Sequence, residues 1–333
     1  MQVRTYNWML FATVLAATGL TWNAAAQAAQ EPQQKPQAQQ PVGGQQPIRV
    51  QVSLVNIFAT VRDKSRKIIA NLEQKDFRIF EDNQEQKLSF FTRDTALPIT
   101  LGLLIDTSGS ETNRLPAEQD AASQFLTRVM RKGDEAMVIS FGMDVDLLAD
   151  FTDDRDKLER AIRRTQINAP IGGLINPGPL PPSARQIRGT AFYDAIYVAC
   201  REKLSTEAGR KALVIVTDAV DEGSKVKLDE AIEAAQRTDT VIHILLVSEA
   251  GYNNPGVAKK ISDETGGRMI EVRSEKKLQE AFDQISEELR TQYQLGYYPT
   301  NAERDGKFRK VKIETVPGDM RVLARRGYYA PKS

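Results

Sequence analysis

The sequence predicts a mixed α/β protein: a doubly wound, mostly parallel sheet set into a small β-sandwich built by the segments on either side of it. Three observations predict this. From Leu97 to Arg290, apolar runs of strand length alternate with stretches whose apolar residues recur at helical spacing. Outside that region the pattern is short strands and turn dipeptides only. Each flank, 48–96 and 291–333, is too small to enclose a core alone, and the ends of a domain tend to lie together, so the two are expected to fold as one sandwich.

Taken in order, Met1 to Ala26 reads as a secretory signal, with Arg4 as the positive start and Trp8–Leu20 as a short apolar core. Small residues for cleavage follow at Ala24-Ala25-Ala26 or Ala26-Gln27-Ala28. The apolar run falls short of the roughly 20 residues that span a bilayer. Export to a periplasm-like space or to the outside is therefore expected, with no membrane span once the signal is removed; an uncleaved anchor is the alternative. No cysteine follows the run, which excludes a lipid anchor on cysteine. Residues 27–47, rich in Gln, Pro and Ala, cannot bury enough surface to offset their chain entropy and read as a disordered linker.

Segment 48–96 is β-patterned. Val50, Val52 and Leu54 alternate, then Val55, Ile57, Ala59 and Val61 alternate in the opposite phase, which predicts a bulge or bend. Short strands follow near Phe77–Phe80 and Lys87–Phe91, with turns at Asp63-Lys64 and Asp82-Asn83. The α/β region, 97–290, then offers strands at Leu101–Ile105, Ala136–Phe141, Val145–Phe151, Ala212–Val216, Val241–Val247 and Met269–Val272. Between them run helix faces such as Ala122, Phe125, Leu126 and Val129, or Leu278, Ala281, Phe282, Ile285 and Leu289. Segment 291–333 returns to strands at Tyr293–Tyr297, Phe308–Thr315 and Arg321–Arg325.

Composition removes several function classes. The 333 residues carry 45 basic and 44 acidic side chains, so no field points to nucleic acid or an acidic membrane surface. One cysteine, Cys200, rules out an internal disulfide, and a zinc site of nitrogen and sulfur ligands has no material. The one histidine, His243 in VIHILLV, reads as a buried structural residue, so no Ser-His or Cys-His catalytic set is expected. The pairs Arg131-Lys132 and Arg325-Arg326 read as solvated surface.

Chemistry concentrates where strands end. The buried run Leu101–Ile105 stops in Asp106-Thr-Ser108-Gly-Ser110, one carboxylate and two hydroxyls spaced two apart. In a parallel sheet, ligands collect at the carboxyl ends of strands. Two further loops belong there: Gly189-Thr190, which opens a helix, and Thr217-Asp218, which ends a strand. Together these oxygens suit a hard divalent cation. Helix capping and turn formation account for any one loop taken alone. Asn168–Arg188, rich in Gly and Pro, leads straight into Gly189 and reads either as a specificity loop or lid, or as a tolerated insertion.

The set D-x-S-x-S, then T, then D resembles the metal-ion-dependent adhesion site of the von Willebrand factor type A domain, over about Pro98 to Leu289. The flanks, with YQLGYYP and RRGYYA, are similar to those of a group of exported bacterial proteins carrying such a domain. The resemblance implies that Ser108, Ser110 and Thr190 ligate the cation directly. It implies that Asp106 and Asp218 hold it mostly through water. The cation implied is Mg²⁺, with Mn²⁺ or Ca²⁺ as substitutes. It further implies a non-enzymatic adhesion or scaffold role, in which a partner protein offers an Asp or Glu to the metal. The family usually has Gly where this chain has Ala219, a departure that bears on ligand affinity. Asp221 matches an acid often found in that loop and is assigned no ligand role. Two alternatives stand beside this reading. One is a metal-assisted hydrolase or phosphotransferase, against which the sequence places no His, Lys or Glu beside Asp106 or Thr190. The other is a structural module whose metal only stabilises loops.

Overall fold

The computed structural model describes residues 54–93, 97–111, 113–167, 189–247, 253–316 and 318–332. The signal, the linker, the first phase of the Val50–Leu54 alternation before Leu54, and the Asn168–Arg188 loop lie outside these residues. Among the described residues no helix is long and apolar enough to cross a membrane.

The described chain forms three sheets. Strand β1 (Val55–Arg62) carries the second phase of the expected alternation, with Val55, Ile57, Ala59 and Val61 all buried. Strands β2 (Phe77–Glu81) and β3 (Gln84–Gln86) form a hairpin across Asp82-Asn83, both at positive φ, the left-handed pair that a two-residue hairpin turn requires. Strand β4 (Leu88–Thr92) follows. The central sheet contains β5 (Ile99–Asp106), β6 (Glu135–Phe141), β7 (Val145–Thr152), β8 (Arg210–Thr217), β9 (Thr240–Val247) and β10 (Met269–Val272), in the order β10-β9-β8-β5-β6-β7. All neighbours are parallel except the β6–β7 hairpin. β5 is buried along its whole length because it lies in the middle, with helices over both faces.

Helices α1 (Leu115–Val129), α2 (Arg155–Arg163) and α6 (Glu275–Arg290) cover one face, where Phe125 stacks on Phe282. Helices α3 (Phe192–Val198), α4 (Leu228–Arg237) and α5 (Pro255–Thr265) cover the other. The end of α3 widens into a π turn at Ala199–Lys203 that carries Cys200 into this core, and burial pushes its thiol up to about 12. Cys200 is a free thiol buried in this core.

The flanks close on each other. Strands β11 (Tyr293–Tyr297) and β13 (Arg321–Leu323) join β1 and β4 in a sheet of order β13-β1-β11-β4. Strands β12 (Phe308–Thr315) and β14 (Gly327–Tyr329) join β2 and β3 in the order β14-β12-β2-β3. Ile57, Phe77, Ile79, Tyr293, Leu295 and Val311 pack between these two sheets, so both flanks supply one core. Its buried polar centre is Glu81, whose Oε2 accepts hydrogen bonds from the Tyr297 and Tyr328 hydroxyls at 2.8 and 2.9 Å. The second tyrosine of YQLGYYP, which ends β11, and the first of RRGYYA are thereby explained: each ties its strand to the same carboxylate.

The sandwich and the α/β layers are joined by buried ions. Arg62 of β1 pairs with Glu288 of α6, which also meets Arg268 at 3.2 Å. His243 stands 3.8 Å from Glu288, and burial, then Arg268 and Arg62, hold it down to about 3, so it is the neutral structural residue expected. Gly266, at φ 84°, packs so close that a Cβ there would lie 2.3 Å from the backbone nitrogen of Arg325. Arg325 corrects the expectation of a solvated pair. Its side chain is only 10 % exposed, pairs with Asp239, donates to the Asn56 carbonyl at 2.7 Å and lies over the Tyr328 ring. Arg326 is the solvated member, at 58 % exposure.

Candidate functional site

The β5 run of small and branched apolar residues ends abruptly, and the turn after it delivers its polar groups to the carboxyl edge of the sheet. Asp106, the last residue of β5, is fully buried. Its Oδ1 accepts the Ser108 backbone N–H at 2.9 Å, and its Oδ2 accepts the Thr217 hydroxyl from the end of β8 at 2.6 Å. The Ser108 and Ser110 hydroxyls lie 2.9 Å apart, and Ser110 donates to Asp218 Oδ2 at 2.9 Å. The Val220 N–H bonds the other oxygen of Asp218. Asp106, Ser108, Ser110 and Asp218, separated by over a hundred positions in part, thus form one cluster at adjacent strand ends.

Thr190 enters through the backbone. Its carbonyl accepts from Glu222 N–H at 3.2 Å and Gly223 N–H at 3.3 Å, directly after the Asp218 turn. Gly189 makes that contact possible, since a Cβ on it would lie 2.9 Å from the Gly223 Cα. Ala191 N–H then bonds the Gly142 carbonyl beyond β6, and Thr107 N–H bonds Phe141. Asp221 caps α3, accepting Tyr193 N–H and the Ser224 hydroxyl, which fits its having no ligand role. Asp106, Ser108, Ser110 and Asp218 therefore occupy one corner, and Thr190 joins it only through its backbone, by way of the loop that follows Asp218. Ser108 and Ser110 are half-exposed at its rim, and the two acids lie beneath.

The electrostatics of the corner are those of an uncompensated anion. Complete burial pushes Asp106 up to about 7, against the opposing hydrogen bonds from Thr217 and Ser108. Asp218 is also raised, first by burial and further by Glu222. The donors are carboxylates and hydroxyls, hard oxygens of the kind Mg²⁺ and its relatives take. Among the described residues no three His, Cys, Asp or Glu side chains are grouped so that they could hold a metal ion between them, so any cation here would lean on the hydroxyls. That donor chemistry, with an acid at the back whose charge burial disfavours, fits a hard divalent ion.

Ala219 sits at φ 60°, so the turn keeps the left-handed conformation that glycine adopts freely although a methyl is present. Its N–H bonds the Thr217 hydroxyl at 3.0 Å, and its methyl is fully buried.

Sequence reasoning missed two acids. Glu111, next to Ser110, and Glu118, on the first turn of α1, are 2 % and 1 % exposed and act electrostatically on the corner that holds Asp106 and Asp218. The expectation that no Glu stands beside Asp106 is thus corrected. The signal was available: Glu118 precedes Ala122 by four residues and Phe125 by seven, which puts it on the buried face of α1.

Residues 101–221 match the family model described as von Willebrand factor type A domain. No curated protein matches the chain. Among solved structures, a von Willebrand factor type A protein from Catenulispora acidiphila is 14 % identical, with a TM-score of 0.49 over 80 % of this chain and 75 % of that one. The conserved hypothetical protein BatB from Bacteroides thetaiotaomicron is 19 % identical, with a TM-score of 0.43 over 57 % and 98 %. The proximal thread matrix protein 1 of mussel byssus, in a form with a zinc-occupied MIDAS motif, is 14 % identical, with a TM-score of 0.49 over 63 % of this chain and 49 % of that one.

Proposed function

Starting from a chain that carries a von Willebrand factor type A domain across residues 101–221, we propose an exported, metal-dependent protein-binding module. In this reading Ser108, Ser110 and Thr190 hold Mg²⁺, or Mn²⁺ or Ca²⁺ in its place, and Asp106 and Asp218 hold it through water. Mg²⁺ takes near-octahedral oxygen and keeps several waters, so hydroxyl ligands leave it short of neutralising charge. A carboxylate from outside, an Asp or Glu of a partner protein, then completes it. Adhesion or scaffolding follows, with no catalytic residue required. Export to a periplasm-like space or beyond rests on the Met1–Ala26 pattern.

The observation that carries the reading is the hydrogen-bonded chain Ser108–Ser110–Asp218 beside buried Asp106, with the Thr190 backbone bonded to the loop that follows Asp218. These oxygens already satisfy one another at 2.9 Å, so binding an ion means exchanging hydroxyl–carboxylate bonds for ion–oxygen bonds.

The test is calorimetric titration of Mg²⁺ and Mn²⁺ into the chain beside Asp106→Ala and Thr190→Ala, followed by partner capture with and without chelator. Binding in the parent that both variants weaken, and a partner lost on chelation, is the expected result. A parent that binds neither ion, or partners indifferent to chelator, refutes the proposal.

A further inference from the structure

Burying a carboxylate without a partner is costly, so such groups call for an explanation. Glu111 and Glu118 are the two cases beside the candidate site. Among the described residues, both oxygens of Glu118 and Oε2 of Glu111 are sealed from solvent and meet no N–H or hydroxyl donor, so the two carboxyls have only each other. The two carboxyls adjoin each other, and the charges acting on both include Asp106 and Asp218. Arg114 is the cation that acts on Glu118. The Glu118 side chain also lines a cavity of about 190 Å³, with Arg114, Val247 and Val272 in its walls, at the carboxyl ends of β9 and β10. This cavity lies on the same edge of the sheet as the cluster.

Neither placement follows from packing alone. An apolar residue at position 118 would continue the face of Ala121, Ala122 and Phe125 into the core. Glu111 could project into water from its short 3₁₀ turn, as Asn113 does two residues on. Instead four acids share one corner. Carboxylates buried side by side repel one another when charged. A divalent cation at the hydroxyl rim would relieve that repulsion.

We infer that Glu118, with Glu111 beside it, forms a second acidic layer behind Asp106 and Asp218 that sets how tightly the chain holds a divalent cation. The inference rests on the cation reading given above and adds to it two positioning residues outside the D-x-S-x-S, T, D set. Their role is charge compensation at one remove from the ligands, where outer partners of a metal typically govern affinity by about 10- to 100-fold.

The experiment titrates Mg²⁺ and Mn²⁺ calorimetrically into the metal-stripped full chain, comparing the parent with Glu118→Gln, Glu111→Gln and Asp120→Asn. Asp120 lies on α1 with its carboxylate 59 % exposed, and serves as the control for loss of one charge. Urea unfolding of each metal-free variant is measured alongside. Glu118→Gln is expected to bind about tenfold more weakly or worse while its metal-free form unfolds at the same or a higher urea concentration, and Asp120→Asn to match the parent. Opposite signs for affinity and stability are what a merely structural glutamate would not produce. Glu111→Gln carries the same expectation and replaces Glu118→Gln should that variant fail to fold. A loss under threefold in a parent that binds, or a fall in metal-free stability that accompanies the lost affinity, overturns this inference alone. A parent that binds neither ion overturns the cation reading, and this inference with it.

Discussion

Replacing Asp106 by Asn should stabilise the metal-free protein at neutral pH and destabilise it in acid. Asp106 is completely buried, and its pKa rises from an ordinary 3.8 to about 7. Between those values an unfolded chain has released the proton that the folded one retains. The folded state binds more protons, so stability falls as pH rises from about 4 to about 7 and levels off on either side. A shift of this size corresponds to a loss on the order of 4 kcal/mol by pH 7.5. Asn carries no charge to desolvate, but its amide cannot reproduce both acceptor oxygens toward Ser108 N–H and the Thr217 hydroxyl. One poorly matched hydrogen bond costs about 1 kcal/mol. The net expectation for Asp106→Asn is a loss of about 1 kcal/mol at pH 4 and a gain of about 2–3 kcal/mol at pH 7.5. Urea unfolding of metal-stripped parent and variant at the two pH values measures both. Millimolar Mg²⁺ should then stabilise the parent at pH 7.5 and leave the variant unmoved. A variant less stable than the parent at pH 7.5 by as much as at pH 4 would refute the reasoning, because it would mean that Asp106 contributes by its hydrogen bonds and not by its charge.

Glu288→Gln should destabilise by about 3–5 kcal/mol, since it strands the buried Arg62 guanidinium, and with it the half-buried Arg268, without the Glu288 carboxylate. Lys64→Ala, which breaks a pair exposed at both ends, should change stability by less than about 1 kcal/mol; thermal unfolding of both variants tests the contrast. Gly189→Ala should separate the Thr190 loop from Gly223, costing about 1–3 kcal/mol and lowering Mg²⁺ affinity in the same calorimetric assay. Ala219→Gly should be nearly neutral, within about 1 kcal/mol by urea unfolding: relief of a left-handed alanine is offset by the freer unfolded chain and the lost buried methyl.

What the sequence made legible was whatever depends on local pattern. The Leu101–Ile105 run could only be a strand covered on both faces, and its abrupt end in Asp106 located the corner before any fold was known. The opposite phase beginning at Val55 survives intact in β1. What was not legible depends on partners remote in sequence. Arg325 reads as a surface charge until the Gly266 turn and Asp239 are brought against it. Nothing local marks Glu81, beside the Asp82-Asn83 turn, as buried; its place follows only from the convergence of Tyr297 and Tyr328. Glu118 is the intermediate case. The helical period places it on the apolar face, yet a single acid at the start of a helix is ordinarily explained by favourable interaction with the helix dipole.

The sandwich has a consequence for how the protein is made. β1 finds its hydrogen-bonding neighbour in β11, with Val55 opposite Tyr297, and β2 finds its own in β12, with Phe77 opposite Thr315. Both pairings close across the whole of the inserted domain. While that domain is an open coil, such closure is slow and entropically costly; once it has compacted, its two ends are delivered side by side. Folding accordingly runs from the inside outward. A nascent chain emerging N-terminus first must carry β1 without its β11 neighbour, and β2 paired with β3 alone, until its last strands appear. During that interval two apolar strands present open edges, the condition under which chains stick to one another. The late-arriving C-terminal strands act as the latch that ends this exposure, and a chain cut short near residue 290 would never acquire it.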